Sequence, residues 1–219
     1  MPRTQPFDEY LDEYEEWFQR NRFAYLSEVE AVRHFVPKGK RSIEIGIGTG
    51  RFALPLGIGE GVEPSGAMRT LAIRHGLTVY DGVAEDLPLP DHSYEFALMV
   101  TTICFLDDIA SSFEEVKRIL KSDGLFVIGM VDSDSRLGRD YEKIKDQNRF
   151  YRIASFYSTD EVIHHLERNG FGEIEVVQTV FGDLRSIRQI QPFKEGYGEG
   201  GFVVIKAKSG VAFCNNTDA

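Results

Sequence analysis

The fold is decided by the stretch RSIEIGIGTGRFALPL, which occupies residues 41–56. A short apolar run with one embedded acid, Glu44, passes directly into three glycines at alternate positions, Gly46, Gly48 and Gly50. The apolar run predicts a buried strand, and the glycines predict a tight turn where backbone atoms can approach a ligand closely. In an open parallel sheet, ligands bind beyond the carboxyl ends of the strands, so we expect a binding site at this turn.

Short apolar runs alternate with helical patterns along the rest of the chain. Strands are predicted at residues 42–45, 61–63, 77–80, 94–100, 125–131, 174–181 and 202–206, and helices at residues 65–74, 109–121, 134–147 and 159–169. This alternation predicts an α/β fold with a mostly parallel sheet and helices on both faces. The turn-rich segment QPFKEGYGEGG, residues 191–201, separates the last two strands, which we expect to pair as an antiparallel hairpin at one edge.

The N-terminal region differs from the rest in its acidic and aromatic character. Two helices are predicted within residues 7–35, because aromatic side chains recur there at three- and four-residue spacing and so share one face. We expect residues 1–36 to form a helical lid on an α/β domain of residues 37–208. Within that domain, residues 133–160 are predicted to be an insertion on the substrate side, and residues 209–219 form a tail.

Composition and charge narrow the classes of protein. A net charge of −10 disfavours nucleic acid as a partner, because like charges repel its phosphates. No apolar run reaches about 18 residues, so no membrane span is expected. Cys104 and Cys214 lie far apart and the five histidines are scattered, so we expect no disulfide framework and no metal site. The acidic start and the cysteine usage favour a reducing cytoplasm.

The glycine turn fits neither of two common phosphate-binding patterns. A dinucleotide site would need a third glycine at the position of Arg51, and no Gly-Lys-Ser/Thr triplet follows the turn. Glu63, at the end of the second predicted strand, suits the two hydroxyls of a ribose. Glu85 and Asp86 follow the third strand and suit an adenine amine. Together, the side chains at these strand ends suit a ligand that is a nucleoside with a small zwitterionic tail.

The pattern E-x-G-x-G-x-G at residues 44–50, with the ordered motifs after it, resembles the class I S-adenosylmethionine-dependent methyltransferases of the small-molecule type. The match runs over residues 41–132, with a looser similarity in FYSTDEVIHHLERNGF, residues 156–171, and in the final hairpin. The resemblance implies a Rossmann-like sheet of seven strands with an antiparallel last strand. It also implies S-adenosylmethionine as cofactor and S-adenosylhomocysteine as product.

By position, the resemblance also implies a set of cofactor-binding residues. The acid supporting the loop, the loop itself and the ribose acid correspond to Glu44, Gly46, Gly48, Gly50 and Glu63. The adenosine contacts and the end of the fourth strand correspond to Pro64, Ser65, Met68, Ala84, Glu85, Thr101 and Thr102. Apart from these motif positions, Tyr14 or Tyr25 of the lid could reach the cofactor carboxylate. The short stretch that contains Pro55 and Gly57 predicts a stunted first helix.

Catalytic residues are not assigned by the sequence. The loop TTICFLDD, residues 101–108, lacks the histidine that many relatives carry there. Asp132 or Asp134 could act as a base, although a helix cap at Asp134 is the simpler reading. Transfer from a sulfonium depends mainly on alignment and on exclusion of water, so a base is optional.

A small-molecule acceptor is expected, because no Asn/Asp-Pro-Pro-aromatic run follows the fourth strand. Arg139, Arg149 or Arg152 could hold an anionic group of the acceptor. Aromatic residues of the lid and of the insertion are candidates to line the acceptor pocket, and these are Tyr10, Tyr14, Trp17, Phe18, Tyr25, Tyr141, Phe150, Tyr151, Phe156 and Tyr157. Two alternatives remain open: a non-catalytic methyltransferase-like protein that binds the same cofactor, and an NAD-dependent oxidoreductase. The sequence identifies neither the acceptor nor the oligomeric state.

Overall fold

The computed structural model describes residues 4–210, and it begins with three helices rather than the predicted two. These are α1 (Gln5–Glu9), α2 (Leu11–Arg20) and α3 (Arg22–Arg33). The three helices are separated at Tyr10 and Asn21, whose backbones leave the helical region. Tyr10 has φ −124° and ψ 39°, and Asn21 has φ −110° and ψ 33°. The first three residues of the predicted lid and residues 211–219 of the predicted tail, including Cys214, lie outside the described residues.

The remaining chain alternates between strands and helices. In chain order these elements are β1 (Ser42–Ile45), α4 (Ala53–Leu56), β2 (Glu60–Val62), α5 (Gly66–Arg74), β3 (Thr78–Tyr80), β4 (Tyr94–Val100), α6 (Ile109–Ile119), β5 (Leu120–Val131), α7 (Arg136–Ile144), α8 (Thr159–Arg168), β6 (Phe171–Thr179), β7 (Lys194–Glu195) and β8 (Phe202–Ser209). Short 3-10 turns occur at Ile103–Phe105, Lys145–Gln147, Tyr151–Ile153 and Leu184–Ser186.

The strands form one sheet in the order β3-β2-β1-β4-β5-β8-β6-β7. The first five strands pair in parallel, and β8 runs antiparallel to both β5 and β6. The α/β prediction and the antiparallel pairing of the last two long strands are therefore confirmed. The sheet has eight strands rather than seven, because exposed Lys194 and Glu195 add a two-residue edge strand that carries no apolar signal. Strand β8 lies inside the sheet, between β5 and β6, and not at its edge.

Helices cover both faces of the sheet, as its alternating side chains require. On one face, Ile43, Met99 and Phe126 pack with residues of α6 and α8. On the other face, Leu98 and Val127 pack with residues of α3, α4 and α7. Neighbouring residues of a strand point to opposite faces, so strands buried on both sides read as continuous apolar runs.

Helix ends explain the details of the element boundaries. A capping box formed by Ser158 and Glu161 begins α8. The cap of α7 is Ser135, whose hydroxyl accepts from the Gly138 N–H, so the predicted cap at Asp134 is wrong by one residue. The first helix of the α/β domain, α4, is only four residues long, as expected from Pro55 and Gly57.

None of the helices within residues 4–210 combines the length and apolarity needed to cross a bilayer.

Candidate cofactor and acceptor site

The glycine loop that follows β1 lies against the loop after β4. Gly46 has φ +71°, and an added Cβ would stand 2.3 Å from the Thr102 hydroxyl oxygen. Gly48 has φ +55°, and an added Cβ would stand 3.2 Å from the Tyr14 hydroxyl. Both positions therefore need glycine for the left-handed backbone and for the close approach of other groups. Gly50 differs, because its α-carbon faces Leu77 and does not line the cavity described below.

Glu63, directly after β2, holds the loop from the neighbouring strand. Its two carboxylate oxygens accept the backbone N–H groups of Gly48 at 2.9 Å and of Ser65 at 2.8 Å. The side chain is 6% exposed, and burial raises the pKa of Glu63 to about 7, although both hydrogen bonds act to lower it. An ionised carboxylate offers about four acceptor sites, so further donors can still be accepted there.

Glu44, in the middle of β1, is a buried acid beneath the same loop. Its carboxyl accepts the backbone N–H of Ala53, and burial together with the nearby Glu63 raises its pKa well above the ordinary value. Its Oε2 atom has no hydrogen-bond partner within residues 4–210. Buried polar atoms are nearly always paired, so an unpaired oxygen below a glycine loop indicates that a cationic or hydrogen-bonding group belongs nearby.

The residues expected near the adenosine occupy two neighbouring strand ends. Pro64, Met68 and Ala84 line the cavity, whereas Ser65 caps α5 and donates its hydroxyl to Asp8 of α1 at 2.6 Å. Glu85 also lines the cavity. Its carboxylate accepts the backbone N–H groups of residues 107 and 108 at 2.8 and 3.2 Å, which holds the loop after β4 in place.

Thr101 and Thr102 form the turn at the carboxyl end of β4. Thr101 has φ +51°, an uncommon conformation for a residue other than glycine, asparagine or aspartate. Backbone strain of this kind is concentrated at functional sites, where the surrounding structure holds it in place. The Thr102 hydroxyl lies 3.3 Å from the Gly46 carbonyl oxygen, so the ends of β1 and β4 are joined beside the cavity.

Helix α2 is attached to the glycine loop by one acidic side chain. Glu15 accepts the Thr49 hydroxyl at 2.6 Å and forms an ion pair with Arg51, the residue that replaces the third glycine of a dinucleotide motif. Tyr14 lines the cavity, whereas Tyr25 donates its hydroxyl to the Arg51 carbonyl at 2.5 Å and lies outside the lining. The N-terminal helices therefore close one side of the site.

One cavity of about 690 Å³ connects these strand ends to an aromatic region. Tyr141 and Tyr151 stack with ring centroids 4.6 Å apart, and Phe156 meets Tyr151 edge-on at 5.7 Å. We call these three rings and Trp17 the aromatic walls. Phe7 and Phe150 pack at 5.4 Å across another part of the lining, so α1 meets the segment between β5 and α8 there.

Most of the predicted cofactor residues come together in this cavity. Those that line it are Tyr14, Gly46, Gly48, Glu63, Pro64, Met68, Ala84, Glu85, Thr101 and Thr102. Glu44, Gly50, Ser65 and Tyr25 lie outside the lining and bond to or pack against neighbouring groups of the loop and its supports.

Other candidates from the sequence either have structural partners or lie outside the cavity lining. Asp132 is 2% exposed and accepts the Asp134 N–H and the Thr159 hydroxyl, so both of its oxygens are engaged. Arg139 and Arg152 do not line the cavity. Arg149 lines it, but pairs with Glu13 at 2.8 Å.

Sequence reasoning did not single out Glu28 of α3, which is a buried acid of the cavity lining. It is 3% exposed and lies among the buried residues of α3 that face the sheet. The signal was present, because Glu28 falls four residues after Ala24 and three before Ala31 on an otherwise apolar stripe.

Comparison with known proteins agrees with this geometry. The methyltransferase domain family matches residues 43–128, which span β1 to β5. The crystal structure of an S-adenosylmethionine-dependent methyltransferase from Thermotoga maritima, described as a possible histamine N-methyltransferase, is 50% identical. It superimposes with a TM-score of 0.92 over 94% of this chain and 100% of that one.

The chain belongs to the class I S-adenosylmethionine-dependent methyltransferases. Among curated relatives, an uncharacterised protein of Methanocaldococcus jannaschii is 44% identical over 202 residues, covering 92% of this methyltransferase and 98% of the relative. A methyltransferase structure from Archaeoglobus fulgidus, 17% identical with a TM-score of 0.69 over 90% of this chain and 99% of that one, shares the fold.

Proposed function

We propose that this methyltransferase transfers the methyl group of S-adenosylmethionine to a small acceptor bound in the aromatic part of the same cavity. The carrying observation is that one cavity joins Gly48 and Glu63 to the rings of Trp17, Tyr141 and Tyr151. Its volume of about 690 Å³ lies within the range of small-molecule sites. The description of the Thermotoga relative as a possible histamine N-methyltransferase supports a small acceptor here as well.

The residues around the glycine loop fit the cofactor. Glu63 has acceptor capacity left for two ribose hydroxyls, and Gly46 and Gly48 leave room for the methionine portion. The unpaired Oε2 of Glu44 suits the region of the cofactor's amino group. Ala84 and Met68 supply apolar contacts for the adenine, and Glu85 supplies an acceptor beside it.

The chain's own contribution is alignment in a site from which water is kept out. When bound, S-adenosylmethionine supplies a methyl group already attached to a good leaving group. Holding an acceptor in line can contribute about 7–11 kcal/mol in favourable cases. The aromatic walls exclude water from the acceptor, and the positive φ of Thr101 sets the end of β4 beside both parts of the cavity.

We further propose that the N-terminal helices act as a lid. Asp8 of α1 accepts a hydrogen bond from Ser65. Glu15 of α2 accepts a hydrogen bond from Thr49 and forms an ion pair with Arg51. Glu13 of α2 forms an ion pair with Arg149 of the segment after β5. These contacts tie the helices to both parts of the cavity. The free thiol of Cys104 supports a reducing compartment, the cytoplasm, as the location of the protein.

Parallel calorimetric titrations with S-adenosylmethionine, S-adenosylhomocysteine and NAD test the cofactor. We expect the first two to bind and NAD not to bind. Binding of NAD alone would overturn the proposal in favour of an oxidoreductase. A screen of small acceptors for S-adenosylhomocysteine release then tests turnover, and binding without turnover of any acceptor would indicate a non-catalytic protein.

A further inference from the structure

Glu28 projects from α3 into the cavity at its aromatic walls. It is 3% exposed and lines the cavity together with Trp17, Tyr141, Tyr151 and Phe156. Its charge is close enough to Tyr141 and Tyr151 to contribute to the raised pKa of each hydroxyl, after the larger effect of burial. The carboxylate and the rings therefore belong to one small region.

The carboxyl of Glu28 has no partner among the residues that the structure describes. Within residues 4–210 it makes no hydrogen bond or ion pair, and no nearby cation offsets the effect of burial. Burial alone raises the pKa of Glu28 to about 8. A buried acid is normally paired, because leaving it without a partner destabilises the fold. An unpaired acid on a cavity wall is accounted for if its partner is a ligand.

The charges around the cavity favour a cationic ligand. Its lining contains five acids (Glu13, Glu28, Glu63, Glu85 and Asp107) and two basic residues (Arg20 and Arg149), and Arg149 is paired with Glu13. Of the five acids, Glu63 and Glu85 belong to the strand ends, and Glu13 and Asp107 are engaged with other groups. Of these five acids, Glu28 therefore remains available to pair with a ligand at the aromatic walls.

We propose that Glu28 and the aromatic walls form a subsite for an organic ammonium group, so that the acceptor is an amine bound as its cation. The proposal rests on the proposed function for the role of this cavity. The ammonium favours the ionised form of the Glu28 carboxyl and pairs with it, and ring faces attract the ammonium through their quadrupoles. Both attractions are strong where water is excluded. The subsite fixes the position of the ammonium, whether or not that nitrogen receives the methyl group.

Three probes of similar shape test the charge preference: phenethylamine, phenethyl alcohol and phenylacetate. Each is titrated by calorimetry into the full-length protein saturated with S-adenosylhomocysteine, and into its Glu28→Gln variant. We expect the affinity for the amine to exceed that for the alcohol by about ten-fold or more, and we expect Glu28→Gln to remove that difference. Glu30→Gln, an exposed acid two residues along α3, is the matched control and should change nothing.

The outcomes separate this inference from the proposed function. Failure of S-adenosylhomocysteine to bind would count against the function itself. Normal S-adenosylhomocysteine binding with no preference for the amine, no effect of Glu28→Gln, or no binding of any probe would overturn the subsite alone. If Glu28→Gln does not fold, Glu28→Met, which fills a similar volume without charge, replaces it. With either variant, retention of amine selectivity would refute the assignment.

Discussion

The backbone N–H of Gly48 donates to the carboxylate of Glu63 across 2.9 Å, so the glycine loop and the acid after β2 form one unit. Substitution Glu63→Ala removes this bond, the bond to Ser65 and the acceptors proposed for the ribose. Hydrogen bonds to a charged group contribute about 1.5–3 kcal/mol each, so S-adenosylhomocysteine affinity should fall by roughly 10-fold to 100-fold or more. Calorimetry measures the change. Glu175→Ala, at an exposed position of β6, is the control, and equal affinities for the two variants would refute the assignment of Glu63.

Cofactor binding should strengthen as pH rises toward neutrality. Burial raises the pKa of Glu63 to about 7, and donors on a ligand favour the ionised form and lower that pKa in the complex. The free protein must therefore release a proton on binding below pH 7. Affinity for S-adenosylhomocysteine should rise by up to about ten-fold per pH unit there, and level off above it. Titrations from acidic to neutral pH measure this slope, which Glu63→Gln should reduce. An affinity that falls with rising pH would contradict the prediction.

Alanine at Gly48 should affect binding more than folding. Gly48 has φ +55° and faces the Tyr14 hydroxyl, whereas Gly57 has φ +74° with nothing within 4 Å of an added Cβ. Both Gly48→Ala and Gly57→Ala should lose about 1–2 kcal/mol of unfolding free energy from the left-handed backbone. Denaturant unfolding measures that loss. Only Gly48→Ala should also weaken S-adenosylhomocysteine binding, and similar binding by both variants would show that the loop does not contact the ligand.

The attachment of α2 to the glycine loop should slow cofactor release. Glu15 bonds Thr49 and Arg51, whereas Glu16 on the same helix is exposed. Glu15→Ala should therefore speed S-adenosylhomocysteine dissociation by roughly ten-fold, because it removes charge-assisted bonds from the proposed lid. Stopped-flow dissociation measures the rate, and hydrogen exchange over residues 5–20 reports the helices. Identical behaviour of Glu15→Ala and Glu16→Ala would argue against a lid.

Removal of the charge at position 28 should stabilise the protein at alkaline pH. The folded pKa of Glu28, about 8, lies above its unfolded value near 4.5, so stability is fully present below pH 4.5 and is lost as pH rises through 8. Glu28→Gln avoids that loss, which amounts to about 3–5 kcal/mol at full ionisation. Tyr25, Tyr141 and Tyr151 remain neutral over this range, because burial raises their pKa values. Thermal unfolding of both proteins at pH 5 and pH 9 measures the difference, and an equal shift at both pH values would contradict the argument.

Local patterns in the sequence determined the sheet and the glycine loop. Residues 42–50 carry their information within nine positions, because a strand followed by glycines depends on backbone conformation more than on distant contacts. Glu63 and Glu85 could be placed at this edge of the sheet from the ends of their strands for the same reason, and both line the cavity. The boundaries that were missed have equally local causes, such as the single hydroxyl of Ser135, which caps α7 one residue after the expected cap at Asp134.

Only the tertiary structure decided how the acids of the N-terminal helices are used. Glu15 and Glu28 look alike in the sequence, yet Glu15 is paired with Arg51. Glu28 is buried against aromatic side chains from beyond residue 140 and has no partner among residues 4–210. Burial and pairing depend on contacts between distant parts of the chain, which periodicity does not encode. The sequence by itself therefore determined the fold and the glycine loop, while the packing of α3 against the sheet and the segment after β5 decided the aromatic side of the cavity.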